Sequence, residues 1–293
     1  MLYDISMRIA YSYDHPADSS RHVIRIAPAD LPDEQRQVAG SINVEPKPDE
    51  WRVQTDFFGN KTAEFAYFNS HKKIGLSVHS RVERTKREQN YDFSLTFKQL
   101  EAEIWSFRSV DCKAPHHFTG PSPRVSVDAA TTRYARKLVA GRGSILEAVT
   151  AIGEALHRDF LYDPEATTVE TPLLEAFKGR RGVCQDFSHI MIACLRGIGI
   201  PAGYVSGYLR TIPPPGKKRL EGADAMHAWV RAWCGNDMGW VEYDPTNASF
   251  VGSDHIVIAR GRDYSDVAPI KGILRTHGKH TSTQKVDVVP VKA

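Results

Sequence analysis

The chain of 293 residues is long enough for two domains, each with its own core. Its 41% hydrophobic and 25% charged residues are those of an ordinary globular protein, which excludes an intrinsically disordered or membrane-embedded class. A net charge of +3, with Lys and Arg spread out apart from groups such as Lys217-Lys218-Arg219, leaves no electrostatic footprint for nucleic acid.

The first six residues, Met1 to Ser6, carry neither a basic region nor an apolar core, so no secretory signal is expected. Residues 7–13 and 22–26 alternate apolar and polar side chains, the pattern of half-buried strands. Residues 51–57 and 61–68 read as a hairpin around the turn residues Phe58-Gly59-Asn60, and residues 74–83 supply a further strand. Short, evenly spaced strands predict a β-rich sandwich or barrel module over residues 1–112. The turn-rich residues 113–126 are expected to be a linker, and residues 127–293 a second domain. Cys112, His116 and His117 lack a second cluster at zinc-finger spacing, so no metal and no cofactor are expected.

The pattern then turns helical. Asp128 is placed as an N-cap, and Ser144 with Glu147 three residues on forms a capping box. A short helix is predicted over residues 171–177, with Pro172 in its first turn. Ile190, Met191, Cys194, Leu195 and Ile198 recur at helical spacing after Gly182-Val183-Cys184, and Gly199 and Pro201 stop the pattern. Cys184 thus falls where a loop enters a buried helix. There the macrodipole favours a thiolate, and free backbone N–H groups can bind an oxyanion. Cys194, inside the apolar face, reads as structural.

Residues 228–233 and 239–243 read as two strands joined by Gly235-Asn236-Asp237-Met238. His227 opens the first strand and Asp244 closes the second, and antiparallel pairing lays these ends side by side. A cysteine nucleophile needs a base, and the base needs a group that fixes its tautomer. Cys184, His227 and Asp244 offer one residue for each role.

With these motifs the chain resembles a bacterial member of the transglutaminase-like superfamily, a papain-like group that includes cysteine proteases. The resemblance rests on residues 182–187, on His227-Ala228-Trp229, and on Gly239-Trp240 through Asp244-Pro245-Thr246-Asn247. It extends to residues 255–269 and, in the amino-terminal module, to Arg25-Ile26-Ala27-Pro28 and Asp56-Phe57-Phe58-Gly59-Asn60. It implies an α+β fold with a papain-like core in which Cys184 is the nucleophile, His227 the general base and then acid, and Asp244 the orienting group. Arg231 and Met226 depart from the family pattern, at positions that would shape the cleft wall. Tyr162, Val183, Gln185, Asp186, His189 and Trp229 are candidates for cleft or oxyanion contacts. For Asp186 and His189 a polar network around the helix start is the competing role, and for the aromatics apolar packing. Residues 212–219 form either a basic flap or an exposed loop.

The expected reaction is acyl transfer through a thioester on Cys184, with a peptide or protein as substrate and with neither nucleic acid nor membrane as partner. Hydrolysis, as in a protease or amidase, is favoured because nothing marks an acceptor channel or an EF-hand calcium site. Transfer to an amine, as in a protein-glutamine transglutaminase, and a catalytically silent peptide-binding module are the alternatives. A reducing cytoplasm is the expected compartment, since four scattered cysteines do not form a secreted disulfide scaffold.

Overall fold

A computed structural model describes residues 1–85, 91–212, 222 and 224–291. The chain begins with β1 (Leu2–Ala17), β2 (Ser20–Ile24), β3 (Gln35–Glu45), β4 (Glu50–Thr55), β5 (Lys61–Tyr67) and β6 (His71–Arg84). β1 buries Tyr3, Ile5, Met7 and Ile9, every second residue, as the alternation requires. They share one core with Ile24, Phe65, Leu76 and Val78. Each such side chain contributes roughly 1.5–3 kcal/mol by leaving water. The predicted hairpin is β4–β5, paired from Glu50–Ala66 to Thr55–Lys61. Asp56 closes its turn by accepting the amides of Phe58 and Asn60, both at 3.0 Å, while Gly59 takes φ +83°.

Next come α1 (Phe97–Ser106) and a 3₁₀ turn (Pro115–Phe118). Sequence reasoning missed α1, although Thr96 and Gln99 form a reciprocal capping box at its start. Residues 113–126, expected as a linker, bury Phe118 and Val125 in the protein interior. Then follow α2 (Ala129–Leu138), α3 (Ile145–Asp159), β7 (Leu161–Tyr162), α4 (Leu173–Gly179), β8 (Arg181–Gly182) and α5 (Cys184–Gly197). Asp128 caps α2, and Ser144 with Glu147 caps α3, as predicted. Pro172 stands at the N-cap of α4, one position before the helical turn it was assigned to.

The remaining elements are β9 (Ala202–Leu209), β10 (Ala225–Trp233), β11 (Trp240–Asp244), β12 (Ser249–Phe250), β13 (His255–Gly261), α6 (Tyr264–Val267), β14 (Ile270–Leu274) and β15 (His280–Pro290). Five of them form an antiparallel sheet in the order β12-β11-β10-β9-β13, against which α5 packs. α5 is buried continuously from Asp186 to Arg196, so it is a core helix anchored between sheet and helices. His227 pairs with Gly207 across β10 and β9. A Cβ at Gly207 would stand 2.3 Å from both the Ile256 carbonyl and the Trp229 ring, so only glycine lets Trp229 lie across β9.

β14 and β15 were expected with the second domain. Instead they hydrogen-bond into the first, giving two four-stranded sheets, β14-β2-β5-β4 and β15-β1-β6-β3. The amino-terminal module also covers the edge of the five-stranded sheet. Gln35 donates to the Val257 carbonyl at 2.8 Å and accepts the Val257 amide at 2.9 Å, and Asn60 makes the same reciprocal pair with Arg260. Arg84 donates to the carbonyl of His255 at 3.0 Å. Side chains from one module thus occupy the ladder positions that an exposed edge strand would offer to a foreign chain. The Arg260 guanidinium completes the joint, reaching Glu34 at 2.5 Å and Glu242 at 2.8 Å.

Candidate active site

Cys184 is the first residue of α5 and is partly buried. The loop enters the helix sharply: Gly182 adopts φ +158°, and Asp186 Oδ2 accepts the Val183 amide at 2.8 Å. A Cβ at Gly182 would lie 2.4 Å from that same carboxylate oxygen. The backbone therefore closes tightly on its cap and sets Cys184 at the positive end of the helix.

His227 Nε2 lies 2.7 Å from Asp244 Oδ2. A carboxylate only accepts, so Nε2 carries the proton and Nδ1 is the nitrogen left for the thiol. Asp244 is fully buried and receives four further donors. The amides of Thr246 (2.9 Å) and Asn247 (3.2 Å) reach Oδ1, while Asn247 Nδ2 (2.7 Å) and His255 Nε2 (3.2 Å) reach Oδ2. Burial alone would raise the Asp244 carboxyl, but these partners hold it well below the usual carboxylate range. Burial likewise disfavours the His227 imidazolium, yet hydrogen bonds to Asp244 and Cys184 outweigh it and push His227 up to about 10. The site thus favours the protonated imidazole that a thiolate requires.

The hairpin register differs from the expected one by two residues. Val230 pairs with Tyr243 and Trp233 with Trp240, so Asp244 continues opposite Trp229, diagonal to His227. The side chains still meet, because a diagonal pair is within reach of an imidazole.

The other expected contacts divide. Tyr162 is half-exposed beside Cys184, and its hydroxyl is pushed up by burial and by the neighbouring thiol. Gln185 donates to the Val169 carbonyl at 3.2 Å, and Asp186 accepts from Thr167 at 2.6 Å, so both brace the loop before the helix. His189 accepts the Tyr264 amide at 3.2 Å, and burial pushes it down to about 4, a neutral structural histidine. Trp229 is fully buried and donates its indole N–H to Glu242 at 2.8 Å, which makes it a pillar of the sheet rather than a cleft contact. Arg231 does not reach the cleft wall either. It is buried with its guanidinium 3.9 Å from the Trp240 ring centre and 5.5 Å from that of Phe118, and burial pushes it down to about 9. Met226 is half-buried at the start of β10. The expected basic flap, residues 213–219, lies outside the described residues. Sequence reasoning missed Tyr204, which is buried beside Cys184, and His255 and Asn247, which bind Asp244.

Among the described residues, His227, Asp244 and His255 place three metal-capable atoms within 4.8 Å of one another. The Gly252 amide donates to His255 Nδ1 at 3.4 Å, so the proton of His255 is on Nε2, where a metal would need a lone pair. In this arrangement both imidazoles donate to the one Asp244 oxygen.

A buried His–Asp pair stands beside a cysteine at the start of a core helix, on the five-stranded antiparallel sheet of a papain-like α+β fold. Residues 132–245 match the transglutaminase-like superfamily, and residues 3–83 match the bacterial transglutaminase-like N-terminal region. The uncharacterized protein Rv2569c of Mycobacterium tuberculosis is 32% identical over 98% of this chain and 92% of its own length. The uncharacterized protein ML0607 of Mycobacterium leprae is 31% identical over 92% of this chain and 91% of its own. The fold matches a crystal structure described as a "Putative Cysteine Protease" from Cytophaga hutchinsonii, with TM-score 0.76 and 22% identity over all of this chain and 91% of that one. The chain belongs to the transglutaminase-like superfamily. No helix among the described residues is long and apolar enough to cross a membrane.

Proposed function

We propose that this protein is a thiol-dependent acyl-transfer enzyme that hydrolyses peptide or amide bonds, with Cys184 as nucleophile, His227 as base and acid, and Asp244 as orienter. The observation that carries this reading is the 2.7 Å contact of His227 Nε2 with a fully buried Asp244, which commits the opposite ring nitrogen to Cys184. The Cys184 sulfur attacks the carbonyl carbon, and the first-turn amides of α5 receive the developing oxyanion. His227 Nδ1–H then protonates the leaving amine, and the C–N bond breaks to give a thioester. Water, losing its proton to Nδ1, attacks the thioester and releases a carboxylic acid and the thiol. Asp244 keeps the ring in one tautomer throughout. All four cysteines are free thiols, which fits a reducing cytoplasm as the working compartment.

The test is incubation of the full chain with a peptide pool in H₂¹⁸O, with and without a primary amine, alongside Cys184→Ala. Hydrolysis predicts new carboxylates carrying ¹⁸O, absent with Cys184→Ala. Amine-capped products in place of acids would make the protein a transamidase. Binding of peptides with neither product would leave a silent module.

A further inference from the structure

We propose that His255 is a positioning residue for the acyl-transfer site, a second imidazole that locks the Asp244 carboxylate so that His227 can face Cys184. The inference rests on the triad reading and adds to it a residue outside the triad, together with a task for the amino-terminal module. Asp244 Oδ2 takes three donors at once, and His255 supplies one of them from β13. The Gly252 amide on Nδ1 leaves His255 with one useful tautomer, Nε2–H, pointed at the carboxylate. With that lone-pair direction filled, the carboxylate cannot turn about its own axis, and His227 must approach from the remaining one. The His255 ring is itself fixed, edge-on to Trp229 with ring centres 5.2 Å apart and planes at 79°.

Both supports of that ring depend on the first module. Arg84 of β6 holds the His255 carbonyl, and Gln35 holds Val257 two residues on. Trp229 is tied through Glu242 and Arg260 to Glu34. The module that precedes the catalytic core in sequence therefore clamps the strand that orients the orienter.

The experiment compares wild type, His227→Ala, His255→Gln and His255→Leu in the full chain. It measures the rate of Cys184 alkylation by iodoacetamide at pH 6, with the labelled cysteine mapped by mass spectrometry. His255→Leu should slow Cys184 by about 10–100-fold, the range expected when a charged group loses one hydrogen bond. His255→Gln, which keeps an N–H at the Nε2 position, should stay within about threefold of wild type. A Leu variant as fast as wild type, or a Gln variant as slow as Leu, overturns the proposal. If His255→Leu does not fold, long-range ¹H–¹⁵N correlation on the wild-type protein decides: Nε2–H on His255 supports it, and Nδ1–H overturns it. The His227→Ala arm reports on the triad separately, because a wild type no faster than that variant would remove the underlying reading before His255 enters.

Discussion

Asp244→Asn is expected to reduce acyl transfer by about 10³–10⁴-fold and to destabilise the fold by about 3–5 kcal/mol. The two effects share one cause. Five donors converge on a buried group that, as a carboxylate, only accepts. An amide in its place turns one oxygen into an NH₂ facing N–H groups, which leaves donors unpaired and frees His227 to take the other tautomer. The pH dependence has a definite sign. Asp244 is depressed in the folded state, so its contribution is present above its unfolded value and is lost only as pH falls through the lower folded one. Asp244 also raises His227, a contribution that is complete below the ordinary histidine value and declines as pH rises toward 10, so urea unfolding of wild type and variant between pH 5 and 8 should show a gap throughout that narrows toward pH 8. Equal stabilities across that range would contradict the assignment.

Arg260→Ala should cost about 3 kcal/mol, because it removes the cation that the partly buried Glu34 and Glu242 share. Burial alone would lower the Arg260 guanidinium, but these two carboxylates outweigh it and hold it above its ordinary value. The side chain joins the amino-terminal module to the sheet that carries His227, and Glu242 also holds the Trp229 indole. Losing it should thus reduce Cys184 reactivity as well as stability. Chemical denaturation with parallel alkylation checks both. A loss below about 1 kcal/mol, in the range of an exposed pair, would mean that the modules do not depend on this joint.

Much of the site could be read in the residues because its chemistry is written in short motifs. The turn before Cys184, the helix that follows it and the hairpin carrying His227 and Asp244 are each local, and local signals such as capping boxes and alternation predict them well. What stayed hidden is set by long-range pairing. His255 lies 11 residues beyond Asp244 on a strand at the far edge of the sheet, and nothing local shows that it returns to the same carboxylate. β14 and β15 look like an extension of the second domain, and their partners, β2 and β1, lie more than 240 residues earlier. The two-residue error in the hairpin register has a different origin. The turn residues Gly235 to Met238 by themselves centre the hairpin where it lies, with Trp233 opposite Trp240, and the error came from setting His227 directly opposite Asp244 when a diagonal pair brings the two side chains together. Trp229 was a candidate cleft residue because it follows His227 so closely. Its indole is instead drawn away by Glu242, a partly buried carboxylate whose second oxygen accepts the indole N–H.

The central claim is that Cys184 alone, activated by His227, carries the reactivity of this chain. Iodoacetamide labelling from pH 5 to 9, with all four cysteines mapped by mass spectrometry in wild type and His227→Ala, tests it most directly. Cys194 and Cys234 are fully buried with thiols pushed up by burial, and Cys112 is pushed up by burial and by Asp111. Fast labelling of Cys184 near pH 6, ahead of the other three and lost in His227→Ala, is the predicted result. Labelling of Cys184 only above about pH 8, no faster than Cys112 and unchanged by the His227 variant, would contradict it.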